Sequence, residues 1–409
     1  MAYNSLSELF TATADAIRGK TGGTDPIVAN DFPIAISEIQ MGAVSVEEKD
    51  INFMDYDGTL LHSYSIDEFA NMTELPPLPE QEGLICQGWN WNLEDIKAMG
   101  RAVDVGATYI TDDGKTRLYI HLEEGRTSPM VGMFINGTVI VDWGDGTEPD
   151  IITGTSLSTV KYTPNHEYAT AGDYVISLDV NGTVYFGGKY GEKNWSYLLR
   201  HSSAEDGRNN VYQRTLQKAE IGSGVSTIKD YAFRNCPNLK NITIPNDVTA
   251  ISASYALSQS GLAAVVIPNS VTTLGTGAFS TCKSLTRVSI PNSITSIGME
   301  IFPNCNNITR LVIPNSLTDI NNQFAAGCHG LTSIILPAGV TRVGNTTFSG
   351  CYGMRYYDFT QSTAVPTVGS SFVFQEIPKD CEIRVPAALY DEWINSTNWA
   401  TYADYIVGV

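Results

Sequence analysis

The chain lacks several things that would assign it quickly. No run of about 18 apolar residues occurs in its 409 positions, so nothing reads as a membrane-spanning helix. The first twenty residues, MAYNSLSELFTATADAIRGK, show no basic stretch leading into an apolar one, so no secretory leader is expected, and DYIVGV at the other end shows no anchor tail. Positive charge is scarce: 25 Lys and Arg stand against 44 Asp and Glu, a net charge of −19. A chain that must hold phosphates needs a positive face, so nucleic acid is not an expected partner. Charged residues make up only 17%, while Gly 36 and Tyr 20 suit a turn-rich β architecture better than a helix bundle. Cysteines number seven with no His or Asp recurring beside them, which gives no metal-ligand spacing.

The acidity is uneven. Residues 1–215 hold 14 Lys/Arg against 32 Asp/Glu, whereas 216–360 hold 9 against 6. The step near 215 marks an expected domain boundary, and a 23-residue internal repeat begins there. Ile244-Pro245, Ile267-Pro268, Ile290-Pro291, Ile313-Pro314 and Leu336-Pro337 keep that step. So do three apolar columns: Val225, Val248, Val271, Ile294, Leu317, Val340; then Ile228, Ile251, Leu274, Ile297, Ile320, Val343; then Leu239, Leu262, Leu285, Ile308, Leu331, Met354. An aromatic column reads Phe233, Ala256, Phe279, Phe302, Ala325, Phe348. A unit this short cannot bury its own apolar face, so neighbours must stack and the columns become core ladders of a solenoid. LTRVSIP (285–291) alternates like a short strand closed by proline, and GAFSTCKSL (277–285) is expected to form about one helical turn.

The unit IPNSVTTLGTGAFSTCKSLTRVSIP resembles the BspA-like leucine-rich repeats over roughly 216–360. That resemblance implies a binding scaffold of the kind found in bacterial surface proteins, with no catalytic residue. Cys236, Cys282, Cys305, Cys328 and Cys351 share one column, with Gln259 as its missing member; buried free thiols acting as small apolar residues are favoured over a metal ladder or disulfide chain. After an irregular insert, TQSTAVPTVGSSFVFQEI, the segment CEIRVP (381–386) gives one more strand. The tail AALYDEWINSTNWATYADYIVGV then reads as two short helices whose Trp393 and Trp399 cap the open end rather than stack on sugars.

Upstream, Trp143-Gly144-Asp145-Gly146-Thr147, His166-Glu167-Tyr168 and Ala171-Gly172-Asp173-Tyr174 resemble PKD-type immunoglobulin-like domains, with Glu167 where that family shows Thr. Asp145 and Asp173 are read as turn-holders, and a calcium role for Asp142 and Asp145 lacks a full oxygen set. ELPPLPEQEGLICQGWNWNLEDI is similar to the internalin-type B repeat, a small β-grasp module. Within that frame Asp57-Gly58 is a hairpin turn. This matters because Asp55-Tyr56-Asp57-Gly58-Thr59-Leu60 also spells the nucleophile motif of haloacid dehalogenase phosphatases. The strand–helix alternation and acidic partners that chemistry needs are missing, and Asp112-Asp113 reads as another hairpin turn. A glycan depolymerase would need a carboxylate pair, and Glu300 and Asp319 do not share a repeat column. The chain is therefore read as non-enzymatic, with no cofactor and no metal.

SLSELFTATADAIRGKTG presents Leu6, Leu9, Phe10, Thr13 and Ile17 on one helical face. This segment resembles N-terminal parts of tail and baseplate-associated proteins of phages of Gram-positive gut bacteria, which implies docking onto other virion or tail proteins, or self-association.

The expectation is a mainly β, multidomain chain. Residues 1–42 form a helical docking segment, 43–102 a β-grasp-like module, 103–190 an immunoglobulin-like sandwich and 191–215 a linker. Residues 216–386 form the leucine-rich repeat solenoid and 387–409 its helical cap. The expected setting is a virion surface, the expected function host-cell binding of tail-fibre type, with structural decoration or bacterial adhesion as alternatives, and the expected partner a host-surface glycan or protein. Two outward strand columns are available for it: Asn241, Ala264, Arg287, Arg310, Ser333, Tyr356, and Thr243, Val266, Ser289, Val312, Ile335, Asp358. Candidate contacts are Asn241, Arg287, Arg310, Ser333 and Tyr356, where the arginines and the tyrosine suit an anionic glycan; a merely solvated strand face is the alternative.

Overall fold

The protein is described here by a computed structural model covering residues 46–157, 162–188, 197–201, 211–251 and 254–409. The expected docking helix of residues 1–42 falls outside these. Lys49–Val409 form one compact unit, separate from Met1–Glu48. None of the helices among the described residues is long and apolar enough to cross a membrane.

The repeat folds as its columns demand. Strands at Leu216–Glu220, Asn241–Thr243, Ala264–Val266, Arg287–Ser289, Ser333–Ile335, Tyr356–Asp358 and Glu382–Val385 succeed one another along one face. Two-residue strands from Ala250–Ile251 to Thr367–Val368 line another. Paired strands within these faces are parallel, as in Ala264 opposite Arg287 and Ser333 opposite Tyr356. Each of the three aliphatic columns is at most 5% exposed, so nearly every side chain in them gives its full transfer free energy, on the order of 1.5–3 kcal/mol each. Phe279 and Phe302 stack at 5.5 Å between ring centroids.

The turn at 277–285 is not helical. Gly277 and Thr281 have φ of +67° and +60°, and residues at the matching places in other coils, among them Glu300 and Asn304, are left-handed too. A right-handed helical turn cannot contain such residues. The same feature corrects two column assignments. Gln259, with φ +57°, matches Asn235 and Thr281, the residues just before a column cysteine, so Ser260 holds the thiol position. Its hydroxyl lies 3.3 Å from Cys282 Sγ. Leu257, bonded through its N–H to Ala278 O, likewise takes the place assigned to Ala256. This coil gains one residue before the turn and loses one after it. At the shortened corner a Cβ on Gly261 would sit 1.9 Å from Pro237 O, so only glycine fits.

The irregular insert is a further coil, slightly longer than the rest. Thr367–Val368 pairs with Arg342–Val343, and Phe374 stacks on Phe348 at 5.9 Å. The cap follows as expected, with Trp393 and Trp399 at most 1% exposed and their rings 4.4 Å apart. It also adds a strand that was not anticipated, Ile406–Gly408, parallel to Glu382–Val385.

At the other end the solenoid is continued by the antiparallel module. This module contains β5 (Thr116–Leu122), β6 (Pro129–Val131), β7 (Met133–Asp142), β8 (Asp150–Ser156), β9 (Gly172–Phe186) and β10 (Leu199–His201). Strands run β8-β7-β9-β5 in its main sheet, and β6 pairs with β10 in a second, small one. β5 pairs antiparallel with Leu216–Glu220 and β9 parallel with Val225–Ile228, so no free linker separates the described parts of 197–215 from the repeats. Trp143 is buried beneath Tyr168, whose hydroxyl donates to Trp143 O at 2.7 Å.

The first module comprises β1 (Ile51–Met54), β2 (Leu60–Tyr64), α1 (Ile66–Ala70), β3 (Leu84–Trp89), α2 (Leu93–Met99) and β4 (Val103–Thr111). Its sheet order is β2-β1-β4-β3 with β1 and β4 parallel. Ser65 and Glu68 close a capping box at α1, and Asn92 caps α2. The boundary placed at 102 must move: β4 is a central strand of this sheet, so the module extends to Thr111. Asp112-Asp113 is consequently a connection between two sheets and not a hairpin turn, since β4 and β5 do not pair.

Candidate functional site

The phosphatase-like motif resolves into a turn. Asp55 is 3% exposed and its carboxylate accepts from Tyr56 N and Gln81 Nε2, while Asp57 accepts from Thr59 N at 2.8 Å. Gly58 has φ +91°, and a Cβ there would meet Ala264 Cβ at 2.6 Å. The tip of this β1–β2 hairpin rests on the solenoid.

That contact is part of a larger one. The first module lies against the solenoid strand face on which the outward columns were expected to be open. In the second column Thr243, Val266, Ser289 and Val312 are at most 5% exposed. Gly106 in β4 comes so close that a Cβ would be 2.3 Å from Val266 Cγ2. Asn90 donates to Ile267 O at 2.8 Å, and Ser289 Oγ donates to Asp104 O at 2.5 Å. Gln87 Oε1 accepts from Asn246 N at 2.7 Å. These bonds satisfy polar groups that burial would otherwise penalise.

Arg310, expected to face a glycan, is committed to this junction. Its guanidinium donates to Lys49 O and Asp50 O, and Nε lies 3.6 Å from the buried Asp104 carboxylate. Arg101 enters from the module side. It is 5% exposed and donates to Ile313 O at 2.6 Å and Asn315 Oδ1 at 2.9 Å. Burial pushes its pKa down to about 10, against the opposing pull of Asp358; it remains charged at neutral pH. The solenoid strand ladder is interrupted at this place. Residues 309–313 form no strand, and the face divides into an Ala264–Val266/Arg287–Ser289 pair and a four-stranded sheet beginning at Ser333. Arg101 and Arg310 bond the backbone on either side of the module–solenoid contact there.

Where the module ends, a cleft of about 450 Å³ opens between the two. Its module wall is Asp50, Ile66 and Arg101, and its solenoid side includes Arg310, Ser333, Tyr356 and Asp358, with Gln361 at the rim. Tyr356 is held by Arg384, whose guanidinium lies 4.0 Å from the ring centroid and is itself paired with Glu382 at 2.8 Å. Asp358 accepts from Thr360 N and Oγ1.

The five candidate contacts are thus divided. Ser333 and Tyr356 share the cleft, and Arg310 reaches it while bound to the module. Arg287 and half-buried Asn241 belong to the part of the face next to the module, away from the cleft. The expectation of an anionic-glycan grip through Arg287 and Arg310 on a free strand face is not met, because the module supplies Arg310's acceptors. Asp50, Arg101 and Gln361 were missed. Apolar residues in an outward column, Val266 and Val312, were the available signal that something covers it.

The thiols are separate from this site. Cys305, Cys328 and Cys351 each donate to a carbonyl of the preceding coil, at Phe279, Phe302 and Ala325, over 3.1–3.2 Å, and all seven cysteines are free. Burial pushes Cys351 up to about 12, so it is a thiol at neutral pH. Asp145 is occupied by Thr147 and by His166 at 2.7 Å, and Asp142 by Gly144 N. Among the described residues no group of three or more His, Cys, Asp or Glu is placed to hold a metal ion.

Two overlapping segments, 207–324 and 253–377, match the BspA type leucine rich repeat region in six copies. Residues 207–377 are thus similar in sequence to BspA-type leucine-rich repeats. No curated protein matches the sequence. Solved structures similar to it include a leucine rich repeat protein of Treponema pallidum, 29% identical over 32% of this chain, with a TM-score of 0.30. A leucine rich cell surface protein of Faecalibacterium prausnitzii is 21% identical over 46%, TM-score 0.26. A leucine-rich repeat protein of Bacteroides ovatus is 18% identical over 47% of this chain and 83% of its own, TM-score 0.20. The chain spans 62% of the length of each of the first two. The two modules before the repeats lie mostly outside the match.

Proposed function

We propose that this chain is a non-enzymatic recognition protein of tail-fibre type, displayed on a virion surface, that binds a host-cell ligand through its solenoid. Residues 1–42 serve as its attachment to other virion or tail proteins, a reading that rests on their resemblance to such segments. The observation that carries the binding role is the strand face itself: beyond Val312 it is no longer covered by the first module, and its half-buried Ser333, Ile335, Tyr356 and Asp358 border an open cleft. A rigid sheet presenting side chains in register suits recognition of a repetitive surface ligand. Nucleic acid remains an unsuited partner for a chain of this charge, and the proposed contact with the host needs no membrane insertion.

The test is binding of the labelled full chain to whole cells of Gram-positive gut bacteria, alongside Ser333→Glu/Tyr356→Ala and a control change, Glu94→Gln, on α2. Loss of binding in the double variant alone supports the reading. Unchanged binding places recognition elsewhere, and no binding to any cell favours a structural decoration role. Immunolabelling of virions and of bacterial surfaces separates tail-fibre display from a bacterial adhesin.

A further inference from the structure

The chemistry of the junction cleft narrows what it takes. Two cations, Arg101 and Arg310, and two anions, Asp50 and Asp358, line it, so its charges balance. A phosphate, sulfate or carboxylate entering would meet both aspartates, and both guanidinium groups are already partly engaged. Arg310 is held by Lys49 O, Asp50 O and Asp104, and Arg101 by Ile313 O and Asn315. The cleft nevertheless carries as much polar as apolar surface. Ser333, Tyr356, Thr360 and Gln361 add hydroxyl and amide groups that both donate and accept. Ile66, Val312 and Ile335 supply apolar surface among them. Its volume falls within the range of small-molecule sites.

We infer that this cleft is a subsite for a neutral saccharide unit. A sugar ring carries vicinal hydroxyls that act as donors to carboxylates and as acceptors for amides, and its C–H faces lie well on aliphatic or aromatic side chains. Asp358 and Gln361 both line the cleft and would bracket such a diol, with Ser333 and Tyr356 as further partners. Tyr356 is fixed in advance by Arg384 and Glu382, so little rotamer freedom is lost on binding. The site exists only because the first module and the solenoid meet: neither wall alone encloses it. The inference rests on the surface-binding reading above and names the ligand class of that surface.

The test presents fluorescently labelled full chain to an array of neutral oligosaccharides of glucose, galactose, mannose and N-acetylhexosamines, together with uronic-acid and sulfated oligosaccharides. Cell binding is measured in parallel. Retention on neutral glycans, weakened at least tenfold by Asp358→Asn and by Gln361→Ala with unchanged circular dichroism, is the expected result. Retention only on acidic glycans, or neutral binding indifferent to both changes, overturns the inference. Binding to cells without binding to any neutral glycan also overturns it while leaving the surface-binding reading in place. Absence of both overturns the two together.

Discussion

One strand face of the solenoid has two fates. From Asn241 to Val312 its outward side chains meet the first module, and Val266, Ser289 and Val312 are sealed as thoroughly as core residues. From Ser333 onward the same columns are only half-buried, and Tyr356 and Asp358 border open space. Both halves are built on the same repeat with the same inward ladders. What differs is a partner that lies some 200 residues away in sequence. A repeat pattern fixes which side chains point out of a solenoid, but exposure depends on what else the chain lays across them.

The largest effect should come from a change that ignores the distinction. Phe302→Ala removes a ring that stacks on Phe279 and meets Phe324 edge to face. It should cost about 3–5 kcal/mol in chemical denaturation and loosen both halves together. Gly106→Val should separate them. Its side chain would collide with Val266, and overpacking of this kind costs about 1–3 kcal/mol. Amide exchange should then quicken at 264–266 and 287–289 and stay unchanged at 382–385; equal acceleration throughout would mean that the module supports the entire solenoid.

Smaller effects sharpen the comparison further upstream and within the core. Burial pushes the Asp145 carboxyl up, but bonds from Thr147 and His166 outweigh it and hold the group down at about 2. A carboxyl lowered on folding stabilises the protein above its ordinary range, near 4, and loses that contribution as pH falls toward 2. Asp145→Asn should therefore flatten the acid side of the stability–pH curve between about pH 4 and 2. The smallest perturbation is thiol labelling of the native chain. Half-buried Cys86 should react with a soluble disulfide reagent, and the buried column thiols should react only on unfolding.

The sequence makes the solenoid legible because its evidence is repeated. Each core column states the same requirement five or six times, and the two tryptophans of the cap have no other plausible burial place. Single events within the repeat are harder to see. The extra residue before Leu257 and the missing one after Ser260 cancel over one coil, so a fixed 23-residue step hides them, and the left-handed Tyr255 and Gln259 reveal the shift. The turn at 277–285 looked helical because Phe279, Cys282 and Leu285 are three apart, yet stacking of coils sets its backbone. In the first module, β4 reads as the opening of the next domain, since pairing with β1 across more than forty residues leaves no local mark. The cleft was legible only in part. Ser333 and Tyr356 follow from the strand alternation, whereas Asp50 and Arg101 reach it through a contact between modules that no periodicity encodes.

The central claim is that the first module seals one half of the strand face and leaves the other open. Hydroxyl-radical footprinting of the native full chain tests it directly, with oxidation read residue by residue along the outward columns. The structure predicts protection of Val266 and Val312 and ready oxidation of Ile335 and Tyr356. Comparable oxidation of all four would contradict it, since the face would then be open along its entire length.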